Sequence, residues 1–386
     1  MNFKKAILFI HRWLGFISGL VVVIVSITGC LFCFQDEIQD AVHNYRKVEI
    51  QQKEYLAPSI LKTIALKTHP NAKANYIYYY GKDRPAVVLA DLGKAGFYYI
   101  YLNPYDGKIL HAEDPKTNFF TVVEYIHLYL LLPPKIGTMV VGVSVIIFLV
   151  LMITGIILWW PKRKTDRKRS FSIKWKGRWR RINYDLHNVL GFYAASIAVI
   201  LAVTGLSIAF DWVNNGIYTA ANLGKTYTAE RTIPKSDTLK IPAITKGPAI
   251  DLAFLQAQKR SPKAQMFLIY DPAAKSETIG VTAYAKSLHF YKSDLYYFDK
   301  YSGKLLGSLA HSQKSAGLKM NTMNYDIHVG QILGLPGKII AFLASLICAS
   351  LPVTGFIVWL GKRKKPGNKK IKEVAHKKTH ARLVTT

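Results

Sequence analysis

Four histidines stand at matching places in a 386-residue chain that is half hydrophobic. His11 opens HRWLGFISGLVVVIVSITG and His187 opens HNVLGFYAASIAVILAVTG, while His127 and His328 stand in EYIHLYLLLPPKIG and YDIHVGQILGLPGKI. Each leads a long apolar run. A pair of neutral imidazoles inside a helical bundle is what a six-coordinate b-type haem requires. No Cys-x-x-Cys-His occurs for covalent attachment. Zinc is a poorer match, because its structural sites want four convergent ligands and two pairs about a bilayer apart cannot supply them. Any single interfacial histidine more often caps a helix or sits among headgroups. Four at the same repeat position, in runs with almost no other ionisable residue, ask for a common cause.

The same runs carry Thr28-Gly29, Thr154-Gly155, Thr204-Gly205 and Thr354-Gly355. At 1.5 Å per residue Gly29 lies about 27 Å along a helix from His11, level with the opposite pair. By this count Gly29 and Gly205 border the outer site, and Gly155 and Gly355 the inner one. Close helix approach by small residues and clearance for a macrocycle both account for such pairs.

Placing the histidines this way needs four membrane spans, and the sequence offers Trp13–Phe34, Ile136–Trp160, Leu186–Phe210 and Ile339–Leu360. The first is expected to remain in the mature chain, since Gln35-Asp36-Glu37 follows without a small-residue cleavage site. The net charge of +29 is concentrated before the first span, between the second and third, and after the fourth. The positive-inside rule then places both termini and the 161–183 loop in the cytoplasm. Topology and anionic lipid headgroups explain these basic clusters, so no nucleic-acid partner is expected. His11 and His187 fall at the cytoplasmic face, His127 and His328 at the outer face. One haem at each face would make a route for electrons across the membrane. Cys30, Cys33 and Cys348 all lie in spans, so no disulfide framework is expected.

The chain divides into a first span (1–34), an outer α+β module (35–121), a second span with a kinked outer end (122–160), a basic loop (161–183), a third span (184–212), a second α+β module (213–324), a fourth span (325–361) and a basic tail (362–386). YLNPYDGKIL and YFDKYSGKLL match between the two modules as the spans match each other. The expected fold is a four-helix transmembrane bundle from a tandem duplication, with two periplasmic α+β modules. The tyrosine-rich strands read as half-buried β surface.

The HRWLGF opening, the Thr-Gly near the end of the first span, the later IH…G and TG…W-basic patterns and the outer modules resemble the PepSY-associated transmembrane helix proteins over nearly the whole chain. Length and layout are similar to bacterial inner-membrane siderophore reductases of the ferrioxamine type. That resemblance implies two haem b groups with His11, His187, His127 and His328 as iron ligands, and reduction of ferric siderophore at the periplasmic face. Arg12, Lys135 and Lys338 join the four glycines as candidate cofactor-binding residues, the lysines pairing with haem propionates or an anionic ligand. The electron donor is expected in trans, as quinol or a flavoprotein, because no Gly-rich dinucleotide fingerprint occurs. The rival expectation is a periplasmic binding or regulatory protein of the PepSY type without redox activity.

Overall fold

The computed structural model describes residues 2–161, 163–238 and 247–363, so most of the basic tail lies outside the described residues. The first half contains α1 (Phe3–Cys33), α2 (Gln35–Val42), α3 (Pro58–Thr68), β1 (Lys73–Tyr79), β2 (Ala86–Asp91), β3 (Phe97–Leu102), β4 (Ile109–Glu113), α4 (Phe119–Tyr129) and α5 (Pro134–Trp159). A connecting stretch holds α6 (Arg167–Ser170) and α7 (Trp179–Asp185). The second half contains α8 (Gly191–Ala209), α9 (Asp211–Ala221), α10 (Ala249–Arg260), β5 (Met266–Tyr270), β6 (Ile279–Lys286), β7 (His289–Phe298), β8 (Leu305–Leu309), α11 (Ala316–His328) and α12 (Leu335–Arg363).

Among the described residues, Phe3–Cys33, Pro134–Trp159, Trp179–Ala209 and Leu335–Gly361 are long and apolar enough to cross a membrane. They close into a ring in which α1 and α8 each pack on both α5 and α12. Ala195, Ala198 and Ala202 of α8 meet Val22, Phe148, Met152, Cys348 and Leu351 at mid-depth, small side chains letting the helices approach. The end of the bundle that carries the strands is called outer below. There the helices are interrupted. α4 ends with Leu130 in the left-handed region at φ 54°, and α5 restarts at Pro134, where a missing N–H costs nothing in a first turn. At the other end Leu186–Leu190 form a π-helical turn between α7 and α8, and His187 sits in it.

The two expected modules are joined. All eight strands make one antiparallel sheet in the order β4-β3-β2-β1-β5-β6-β7-β8, with Tyr76–Tyr79 paired to Phe267–Tyr270. Alone, each four-stranded meander would present an open edge of unpaired backbone groups, and pairing β1 with β5 satisfies both edges at once. Alternation then sorts the side chains. Ile77, Val88, Ile100, Ile269, Val281 and Phe298 form one core with Leu61 and Ala65 of α3 and Ala253, Phe254 and Ala257 of α10. Asp251 ties these helices together by accepting from the Ser59 N–H at 2.9 Å and its hydroxyl at 2.5 Å. The opposite face lies over the outer end of the bundle.

Ile77 and Ile269 are register partners at the seam, both with no exposed surface. Ile269→Ala is expected to destabilise the sheet by about 2–5 kcal/mol. Because the seam belongs to one core, hydrogen-exchange protection should fall in β1–β4 together with β5–β8. Loss confined to β5–β8 would contradict a single cooperative sheet.

Candidate functional site

The ring of helices brings the four histidines together as two pairs. At the inner end His11 of α1 faces His187 of the π turn, with ring centroids 6.4 Å apart and planes at 85°. At the outer end His127 of α4 faces His328, the last residue of α11, at 6.1 Å and 65°. The α4 and α11 turns end right after these histidines, so the interruptions in the outer helices are what set the outer pair in place.

Each imidazole is held by the threonine of a Thr-Gly pair on a different helix. Nδ1 lies 2.8 Å from Thr154 Oγ1 for His11, 3.0 Å from Thr354 for His187, 3.0 Å from Thr28 for His127 and 2.9 Å from Thr204 for His328. All four hydroxyls also donate to a backbone carbonyl one turn back, those of Val150, Ser350, Ile24 and Ile200, at 2.8 or 2.9 Å. A hydroxyl has one proton, so with that proton used the oxygen accepts from Nδ1–H. His127 makes the case independently, because its Nδ1 also reaches the Val25 carbonyl at 2.9 Å, and a carbonyl only accepts. The tautomer so fixed leaves a lone pair on Nε2, and among the described residues no hydrogen bond reaches any of the four Nε2 atoms.

Two imidazoles on one metal, with metal–nitrogen bonds of about 2.0 Å and roughly 1.1 Å from nitrogen to ring centre, have centres about 6.2 Å apart. Both pairs match that spacing. A haem would also want a counter-charge for its propionates. Arg12, next to His11, has a buried Nε without a hydrogen-bond partner and a guanidinium 5.8 and 5.9 Å from the Phe9 and Trp13 rings. An anionic group would satisfy it. The spacing fits a bis-imidazole haem at each end, and Arg12 adds a counter-charge at the inner one.

The glycines take a different part from the clearance expected of them. A Cβ added at Gly29 would lie 3.3 Å from His127 Cε1, at Gly155 3.4 Å from His11, at Gly205 3.0 Å from His328 and at Gly355 3.1 Å from His187. The space at each glycine is filled by the edge of an imidazole, so threonine and glycine together make one seat for one ring. The lysines separate. Lys135 is exposed at the start of α5, and Lys338 is buried and bonded through its ammonium to Glu37 at 2.8 and 3.0 Å. Lys338 therefore has its counter-ion within the protein, which removes the reason to assign it a propionate.

An apolar cavity of about 230 Å3 reaches the outer pair, lined by Gly29, Gly205, Phe148, Ala202, His127 and His328 among others. Above it, between bundle and sheet, lies a chamber of about 310 Å3. Phe32, Glu124 and Tyr325 border both. The sheet contributes Tyr78 of β1 and Tyr99 and Tyr101 of β3, whose side chains alternate away from the core, together with Tyr80 just past the end of β1. These residues read in sequence as ordinary β surface; the signal that marks them is the run of tyrosines at every second position. Burial pushes the Tyr99 hydroxyl up to about 12, and raises those of Tyr78 and Tyr80, so all three stay protonated donors. The cations at the rim are paired within the protein: Arg46 with Asp36 at 3.0 Å and Asp40 at 2.7 Å, and Arg84 with Asp40 at 2.5 Å. His111 stacks on Tyr45 at 4.1 Å, beside Tyr101, whereas His311 sits apart with its backbone N–H on Asp294.

Thr154→Val keeps the shape of the inner seat and removes the acceptor for His11 Nδ1–H. In 15N spectra of histidine-labelled protein, the Nδ1–H population of one imidazole should fall while the other three hold. An unchanged His11 signal would show that the threonine does not set the tautomer.

Among curated proteins none matches the chain. The family profile described as the PepSY-associated TM region matches residues 8–362, a stretch that includes all four histidines, all four Thr-Gly seats and the whole sheet. The chain therefore belongs to the PepSY-associated transmembrane family and is a membrane protein with an antiparallel α+β region at one end of its helical bundle.

Proposed function

We propose that this protein is a dihaem electron-transfer protein of the bacterial inner membrane that reduces ferric siderophore iron at its outer face and so releases Fe(II) for uptake. One observation carries the reading: two imidazole pairs at opposite ends of an apolar bundle, each at the spacing of two ligands on one iron and each with Nε2 left open. When bound, haem b at each pair would supply a one-electron carrier. The chain's own residues do the rest. His11 and His187 would hold the inner group, with Arg12 beside it, and His127 and His328 the outer one. Val22, Phe148, Met152 and Leu351 keep water out of the depth between the pairs. The donor is quinol or a separate flavoprotein on the side of the basic loop, which the positive-inside rule makes cytoplasmic. The two similar halves are read as a tandem duplication.

The tyrosine chamber is the place for the acceptor. Its protonated phenols can donate to the oxygen atoms of a ferric chelate, and its position above the outer pair brings that substrate to the electron. Hard hydroxamate or catecholate oxygens hold Fe(III) far better than Fe(II), so one electron loosens the iron without further chemistry.

Pyridine haemochrome analysis of purified protein should approach two haems per chain, and fewer than one after expression with ample haem would overturn the reading. Gly205→Leu would push a side chain into the seat of His328 and should remove the outer haem selectively. In proteoliposomes, ferric siderophore added at the chamber side should reoxidise the reduced haems. A small artificial oxidant succeeding where the siderophore fails would leave electron transfer standing and remove the substrate.

A further inference from the structure

The residues before the histidines divide the four into two kinds. Asn183-Tyr184-Asp185-Leu186-His187 and Asn324-Tyr325-Asp326-Ile327-His328 are one pentapeptide but for a Leu against an Ile. Ile7-Leu8-Phe9-Ile10 precede His11 and Val123-Glu124-Tyr125-Ile126 precede His127.

The fold uses the pentapeptide the same way twice. Asn183 Nδ2 donates to the Thr354 carbonyl at 3.0 Å and Asn324 Nδ2 to the Thr204 carbonyl at 3.1 Å. Those are the threonines whose hydroxyls hold His187 and His328. Both aspartates are buried, and both reach backbone outside the bundle. Asp185 accepts from the Lys174 N–H at 3.2 Å and from Arg181 Nε at 2.8 Å. Asp326 accepts from the Phe290 N–H at 3.0 Å, the Tyr291 N–H at 2.6 Å and the Gln331 amide. His187 and His328 are thus tied twice, through asparagine to the helix that seats the ring and through aspartate to the segment beyond the membrane end. In low-dielectric surroundings such fully used polar groups resist displacement strongly.

Among the described residues no asparagine or aspartate ties His11 or His127 in this way, although His127 Nδ1 also reaches the Val25 carbonyl at 2.9 Å. His127 also stands on a helix of 11 residues that ends in two successive left-handed leucines, Leu130 at φ 54° and Leu131 at φ 59°. Leucine adopts that backbone only at a cost, so part of the energy that seats His127 is spent at this junction.

We propose that each pair consists of an anchored ligand and a yielding one: His187 and His328 hold their place alone, His11 and His127 can leave, and Asn183 and Asn324 are the positioning residues that make the difference. The proposal rests on the dihaem reading. The exchange would be redox-neutral: a haem held by His187 or His328 alone would leave one position open to a small neutral ligand.

The test compares four single variants by haem-to-protein ratio and by the carbon monoxide difference spectrum of the reduced protein. His11→Ala and His127→Ala should keep nearly all haem, with one site now binding carbon monoxide and returning to a six-coordinate spectrum on addition of imidazole. His187→Ala and His328→Ala should each lose one of two haems. The unaltered site in the same chain reports that the bundle is folded. Should an anchored-histidine variant fail to accumulate, Asn324→Ala placed in the His127→Ala background decides, since it should lose the haem that His127→Ala alone retains. Equal losses within a pair, the reverse order of losses, or retention of that haem in the double variant would overturn the proposal. Symmetric losses in a protein that carries two haems overturn this proposal alone, whereas a wild-type protein without haem overturns the dihaem reading as well.

Discussion

The hydrogen bond between a threonine hydroxyl and histidine Nδ1 is the contact around which the bundle is arranged. In an apolar bundle an imidazole without partners is costly, because no water is available to satisfy its nitrogens. Threonine solves this for one nitrogen while spending its own proton on its helix backbone. The other nitrogen is left with a lone pair and no partner among the described residues. The glycine next in sequence lets the ring come close enough for the bond to form. Each such bond fixes one helix against another, His11 of α1 on α5, His127 of α4 on α1, His187 on α12 and His328 of α11 on α8, and the ring of α1, α5, α8 and α12 follows.

The outer end shows how extramembrane structure and bundle are joined. Asp326 connects α11 to β7, Gln331 donates to the Leu288 carbonyl at 3.1 Å, and Lys338 connects α12 to α2 through Glu37. The sheet is therefore not a domain on a tether. Its tyrosine face is held at a set height above the outer pair by the residues that position the pair.

Much of this was legible in the sequence. Long uncharged runs fix the spans, and the 17-residue spacing from His11 to Thr28 and from His187 to Thr204 places each Thr-Gly pair at the opposite end of the bundle from the histidine before it, since helix rise converts sequence distance directly into depth. Joining of the modules was not legible, because strand pairing between β1 and β5 links residues far apart in the chain and both strands look like competent edges. The tyrosine chamber was hidden for a related reason: period-two alternation tells which side chains share a face but not what the face looks onto. The partner of Lys338 was not legible, since a lysine at a helix start does not reveal that Glu37, some three hundred residues earlier, reaches it. The Asn-Tyr-Asp-x-His pentapeptide was in plain view, but it relates the third span to the segment before the fourth and so runs across the register of the larger repeat.

The two halves contribute unequally to the chamber. β1, β2 and β3 give Tyr78, Val87, Tyr99 and Tyr101, with Tyr80 just past β1, α2 gives Asp36 and Gln39, and α4 gives Phe120, Thr121 and Glu124, while the second half gives Leu288, Phe290 and Tyr325. Most of the chamber wall thus belongs to elements that carry no histidine. Substitutions in the first-half strands alone can therefore reshape the chamber and leave the helices that seat the imidazoles untouched.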